Sequence, residues 1–300
     1  MRQTLSSLCL PVRPTGEKPT NPERDLESKR VVLEEIVRLP QVYRAALFAF
    51  ASFLFVVLGD TDVTAQTNSS QAVKNIVIVH GAWVDGSSWS KVIPLLQAKG
   101  FHVVAVQNPL TSFADDVAAT RRVIALQDGP VLLVGHSYGG VVITEAGNDP
   151  KVVGLVYVAA FAPNEGESIN SVTKNYPPAP LGAELRPDAQ GFLSVTPKGV
   201  AEDIAQDLPA DEQPVRTATQ GQTSSTVFGA AVTTAAWKAK RSWSVIASND
   251  RAIPPEIEKA EAASIGADSI TLPSGHLVML THPKEVADVI EQAAMKGNSR

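Results

Sequence analysis

The stretch Val131-Leu132-Leu133-Val134-Gly135-His136-Ser137-Tyr138-Gly139-Gly140 constrains the fold more than any other part of the chain. An unbroken apolar run stops at a serine set among glycines, then resumes as Val141-Val142-Ile143. This order reads as strand, sharp turn, helix. On such a turn the serine is driven into a strained backbone conformation. Neighbours without side chains let strand and helix pack closely while Oγ projects above the sheet edge. The pattern Gly-x-Ser-x-Gly makes Ser137 a candidate nucleophile; the plainer alternative is a glycine-rich βα turn.

The same logic extends along the chain. Asn75 to Val79, His102 to Val106, Val152 to Ala160, Trp243 to Ala247 and Ser269 to Leu272 are short apolar segments. Helical patterns separate them, over Trp89 to Lys99 and over Phe113 to Leu126, the latter with Val117, Val123, Ile124 and Leu126 on one side. Continuous apolar strands alternating with helices predict an α/β fold with a mostly parallel sheet covered on both faces. The alternation breaks between Phe161 and about Lys240. Prolines 163, 177, 178, 180 and 187 punctuate the first half of that segment, and helical composition marks Gly199 to Leu208, Ala210 to Thr219 and Ser224 to Ala236. A helical lid insertion over about 162–240 is expected, because ligands of open α/β sheets bind outside the carboxyl ends of the strands, where this segment emerges.

The net charge of −5 comes without any basic run, which argues against nucleic acid as a partner. The single cysteine, Cys9, excludes an intramolecular disulfide and a cysteine-based metal site. Residues 1 to about 37 have the composition of a disordered leader. Arg38 and Arg44 then precede an apolar run of about 14 residues, Ala45 to Leu58, followed by Val63-Thr64-Ala65. A basic flank, a short apolar centre and a small-residue site are the parts of a secretory signal, with cleavage after Ala65. The run is shorter than the ~20 residues a spanning helix needs, so export to the periplasm or medium, without stable membrane association after cleavage, is expected. Residues 66–300 are then the mature domain.

A serine hydroxyl needs a base, and the base needs an orienting carboxylate. Of five histidines, His102, His136 and His282 read as structural, and His80 belongs to a separate loop. His276, in Leu272-Pro273-Ser274-Gly275-His276-Leu277, directly follows the last expected strand and is the candidate base. Asp250 follows the strand before it and is the candidate acid, with Glu165 or Glu167 as fallback. The backbone N–H groups of Tyr138 and Ala82 are the candidate oxyanion donors, one at the start of the elbow helix and one in Val79-His80-Gly81-Ala82-Trp83. Trp83 and Phe228 are candidate pocket walls, and Gln220 or Tyr138 a candidate polar contact. Phe192, Val200, Ile204, Val227 and Trp237 add to an apolar insertion.

Four motifs in this order, His80-Gly81-Ala82-Trp83, Gly135 to Gly140, Asn249 to Pro254 and Gly275-His276, resemble the α/β-hydrolase superfamily over about residues 75 to 295. More narrowly they are similar to the branch of small esterases related to plant methyl-ester hydrolases and hydroxynitrile lyases, with bacterial carboxylesterases among its members. The resemblance implies a sheet of about eight strands, a lid after the sixth, a Ser-His-Asp triad and no cofactor. It also implies a carboxylic ester hydrolase for small to medium apolar esters. Hydroxynitrile lyases of this branch usually carry Thr where Gly81 stands and Lys where Leu277 stands, so ester hydrolysis is preferred over lyase chemistry. Dehalogenases and epoxide hydrolases of the fold carry Asp in place of Ser137. Amidase activity and a non-catalytic ligand-binding role remain open alternatives. Amino-terminal sequencing of the exported protein is expected to begin at Gln66; a start before Arg44 contradicts the cleavage site.

Overall fold

The computed structural model describes residues 73–297; the expected leader and signal, residues 1–65, lie outside them. Strand β1 (Asn75–Val79) opens the described chain, and α1 (Ile93–Ala98) leads from it to β2 (His102–Val106). Helix α2 (Phe113–Ala125), β3 (Val131–Ser137), α3 (Gly139–Ala146) and β4 (Val152–Ala160) follow. The insertion carries α4 (Ile169–Thr173), β5 (Leu185–Pro187), β6 (Phe192–Val195), α5 (Gln213–Thr219) and β7 (Thr223–Ser224). The chain then returns through β8 (Arg241–Ala247), α6 (Pro255–Ser264), β9 (Asp268–Leu272), α7 (Val278–Thr281) and α8 (Pro283–Lys296).

The main sheet has the order β2-β1-β3-β4-β8-β9, and every neighbouring pair is parallel. Its central strands are apolar throughout because side chains alternate between two covered faces. Ile76, Ile78, Leu132, Val134, Val156 and Val158 pack with Trp89 and with Val286 and Ile290 of α8. Val77, Val79, Leu133, Leu155 and Tyr157 pack with Val117 of α2 and Val141 of α3. No helix among the described residues is long and apolar enough to cross a membrane.

Several expectations are corrected in detail. The sheet has six strands among the described residues, against about eight, and the insertion leaves it after the fourth. The first helix begins at Ile93 rather than Trp89: Pro94 is tolerated only in an opening turn, and Gly86–Trp89 forms a separate 3₁₀ turn. Leu126 lies beyond the end of α2 and is 83% exposed, so it leaves the apolar face.

The insertion is not simply helical. Strands β5, β6 and β7 form a small antiparallel sheet. Asp188 closes the β5–β6 turn, its Oδ1 accepting the N–H groups of Gln190 and Phe192, each at 2.8 Å. Ser224 to Ala236, expected from its composition to be helical, forms only short 3₁₀ turns at its two ends, Ser225–Phe228 and Ala236–Lys238. Helix α6 buries Ile257, Glu258, Glu261 and Ala262. Glu261 Oε2 accepts the Ala162 N–H at 3.0 Å, tying α6 to the end of β4, and burial pushes this carboxyl up to about 8.

Candidate active site

Ser137 has φ +54° and is 8% exposed, which is the strained elbow geometry expected of the Gly-x-Ser-x-Gly turn. Close approach explains its glycines. A Cβ on Gly135 would lie 2.6 Å from the Gly139 carbonyl oxygen, and one on Gly139 would lie 2.6 Å from that of Val79. Either side chain would push α3 off the sheet.

His276 and Asp250 meet at the carboxyl ends of β9 and β8, 4% and 6% exposed. His276 Nδ1–H donates to Asp250 Oδ2 at 2.6 Å. That bond fixes the tautomer and leaves the Nε2 lone pair available to accept a proton. Asp250 Oδ1 accepts the N–H groups of Ala252 at 2.7 Å and Ile253 at 2.9 Å, so the turn after β8 holds the carboxylate in place. The fallback carboxylates lie elsewhere: Glu165 pairs with Lys238, and Glu167 accepts the Asn164 N–H. Ser137 and His276 line one cavity, while no hydrogen bond joins Ser137 Oγ to the imidazole among the described residues. Such bonds are often long until substrate is bound.

His136, read from sequence as structural, has a specific task. Its Nε2–H donates to the His276 carbonyl oxygen at 3.0 Å, linking the elbow to the loop of the candidate base. Burial, aided by His276, holds the His136 imidazole well below its ordinary pKa, so it stays neutral.

The loop after β1 lies against the elbow. A Cβ on Gly81 would sit 2.7 Å from Ser137 Cβ, so only glycine lets this loop approach so closely. His80 Nε2 accepts the Asn108 N–H at 2.9 Å, which leaves Nδ1–H to donate to the Gly81 carbonyl at 2.8 Å. Among the described residues, loop and cap hydrogen bonds between backbone groups include none from Ala82 N or Tyr138 N, and both residues line the cavity beside Ser137. Trp83, at φ +57°, is anchored by the insertion: its backbone N–H donates to Thr223 Oγ1 at 3.2 Å and its Nε1–H to the Leu193 carbonyl at 3.0 Å.

The cavity has a volume of about 540 Å³. Trp83 and Phe228 line it and stack with centroids 5.5 Å apart. Gln220 does not line it: its side chain bonds both backbone groups of Val195 and the Thr217 carbonyl, which leaves it committed to the insertion's own framework. The Tyr138 ring lines the cavity, but its hydroxyl donates to Asp116 Oδ2 at 2.7 Å, so neither residue expected as a polar contact has a free side-chain group there. Val200, Ile204 and Val227 are buried in the protein core. Tyr176, Leu181 and Leu193 take the lining places that composition could not assign. Among the described residues no lysine, arginine or carboxylate lines the cavity, and no cluster of three His, Cys, Asp or Glu side chains stands that could hold a metal ion.

The alpha/beta hydrolase family model matches residues 76–289. The chain belongs to the alpha/beta hydrolase family. Salicylic acid-binding protein 2 of Nicotiana tabacum is 26% identical to this hydrolase over 268 residues, covering 75% of this chain and 98% of that protein. A carbendazim hydrolyzing esterase of Nocardioides sp. (strain SG-4G) is 32% identical over 127 residues, covering 37% of this chain and 52% of that protein. The fold is shared with a pyrethroid hydrolase from Sphingobium faniae JZ-2 at TM-score 0.65 and 21% identity, covering 74% of this chain and 97% of that one.

One turn of the hydrolase's insertion grips both loops that carry the candidate acid and base. Asp203 Oδ1 accepts from Arg251 Nε at 2.7 Å, and Gln206 Nε2 donates to the Asn249 carbonyl at 2.7 Å. Asp207 Oδ2 accepts the Gly275 N–H at 2.5 Å. No spacing rule exposes these partners; in the sequence Asp203, Gln206 and Asp207 stand among other acids, Glu202, Asp211 and Glu212, with nothing local to single them out. Asp207→Ala is expected to speed amide hydrogen exchange at Gly275 to Leu277 roughly tenfold or more, since a hydrogen bond to a charged group is worth ~1.5–3 kcal/mol, while β3 stays protected. Unchanged exchange at Gly275 would remove the grip from the account.

Proposed function

We propose that this hydrolase is a carboxylic ester hydrolase that cleaves small to medium apolar esters through an acyl-enzyme on Ser137. The observation that carries the reading is the buried His276–Asp250 pair beside Ser137, in a cavity whose other walls are uncharged. Relatives named for ester cleavage, including methylesterases and a polyneuridine aldehyde esterase, support it.

In this mechanism His276 Nε2 takes the Ser137 proton as Oγ attacks the ester carbonyl, and Asp250 stabilises the imidazolium. The Ala82 and Tyr138 N–H groups receive the oxyanion; one such donor contributes ~10²- to 10³-fold in rate. His276 then protonates the departing alcohol. Water, deprotonated by the same nitrogen, attacks the acyl group, releasing the acid and restoring the serine hydroxyl. The insertion serves as the lid over the site, and the mature protein, residues 66–300, works after export.

The cavity wall bears on the lyase alternative. Leu277 is buried and apolar where a lyase of this branch would place lysine, and no lysine among the described residues lines the cavity to stabilise a leaving cyanide. A panel of p-nitrophenyl esters, anilides and cyanohydrins, run on wild type and Ser137→Ala, tests the reading. Ester turnover with loss of at least about 10⁴-fold in the variant is expected. Faster cleavage of anilides or cyanohydrins, or equal rates in the variant, would overturn it.

A further inference from the structure

We propose that Glu258 is a positioning residue for Asp250, donating a hydrogen bond from its own protonated carboxyl to the Asp250 carboxylate. The proposal rests on the triad reading and extends it one residue further into the protein.

Glu258 stands in the first turn of α6, just after the Asp250 loop, and is 2% exposed. Its Oε2 accepts the Ala247 N–H at 3.0 Å, which holds the carboxyl against the end of β8. Its Oε1 is buried without a partner, while the carboxyl lies within hydrogen-bonding reach of Asp250. Two ionised carboxylates are both acceptors, so they cannot bond each other, and in a buried site they repel. One proton between them satisfies the orphaned oxygen and removes the repulsion.

The donor sets decide which residue holds that proton. Asp250 already receives three N–H groups, from Ala252, Ile253 and His276, and these stabilise its charge. Glu258 receives one. The acidic groups whose fields reach Glu258 among the described residues are Asp250 and Glu261; with its own carboxyl pushed up to about 8, Glu261 is mostly neutral at neutral pH, so Asp250 supplies the charge. Arg251, beside Asp250 in sequence, turns away to Asp203. Burial and the Asp250 charge therefore hold the Glu258 carboxyl well above its ordinary value, in the neutral form. A neutral Glu258 steadies Asp250 behind His276, whereas an ionised one would place a second negative charge behind it.

Glu258→Gln and Glu258→Leu separate this from simple packing. The amide keeps both bonds, its oxygen accepting from Ala247 and its N–H donating to Asp250. Glu258→Gln is expected to keep kcat on a p-nitrophenyl ester within about threefold at neutral pH, and to hold its rate at alkaline pH at least as far as wild type, because an amide does not ionise. Glu258→Leu should lose roughly ten- to a hundredfold in kcat with KM little changed, as for loss of a hydrogen bond to a charged group. Infrared difference spectra of the two full-length proteins at neutral pH should contain a protonated carboxylic acid band in wild type that is missing from Glu258→Gln. That band reads the proton whether or not Ser137 is the nucleophile, and it still decides the matter if Glu258→Leu fails to fold. A spectrum without the difference band, or a Glu258→Gln kcat as low as that of the leucine variant, would overturn the proposal.

Discussion

The geometry of the site depends on holding one residue in a backbone conformation that L-amino acids avoid. Ser137 sits at φ +54°, and such strain costs of order 1–3 kcal/mol wherever it is stored. The surrounding contacts impose it. β3 is buried along its whole length, α3 packs back on it through Gly135 and Gly139, and the β1 loop presses Gly81 against the serine. With that turn set, Ser137 lines the cavity together with His276, and the loops after β8 and β9 bring the candidate acid and base to that carboxyl edge of the sheet.

The insertion does more than line the cavity. Asp203, Gln206 and Asp207 hold the Asp250 and His276 loops from outside, while β6 and β7 hold Trp83 on the opposite side of the serine. Loops at the edge of a sheet are free to move unless their backbone groups are satisfied, and here the same segment satisfies groups in three of them. Pocket shape and the placement of the candidate catalytic groups are therefore linked. A change at Asp203, Gln206 or Asp207 would reach the loops of the candidate acid and base without touching a residue that lines the cavity.

How much of this could be read from the sequence follows from the range of each interaction. Strand positions and the elbow were legible, because apolar runs and the Gly-x-Ser-x-Gly turn are local signals. The placement of Asp250 and His276 just past two strands was legible for the same reason, and the structure brings the two into a hydrogen bond. The β5–β7 sheet was not, since its strands are only two to four residues long and amount to weak composition between prolines. Gln220 was misplaced because nothing local tells a side chain facing a cavity from one bonding a neighbouring strand. Glu258 and Glu261 left a trace: they occupy positions of the α6 stripe that Ile257 and Ala262 mark as buried, where carboxylates are out of place unless they are bonded.

The central claim is that Ser137 carries the acyl group. Rapid quenching of the protein during turnover of a p-nitrophenyl ester, followed by mass spectrometry of the peptide containing Gly135 to Gly140, tests it most directly. The account predicts a mass increase equal to the acyl group, located on Ser137. Turnover with that peptide unmodified, or with the acyl group on another residue, would contradict it.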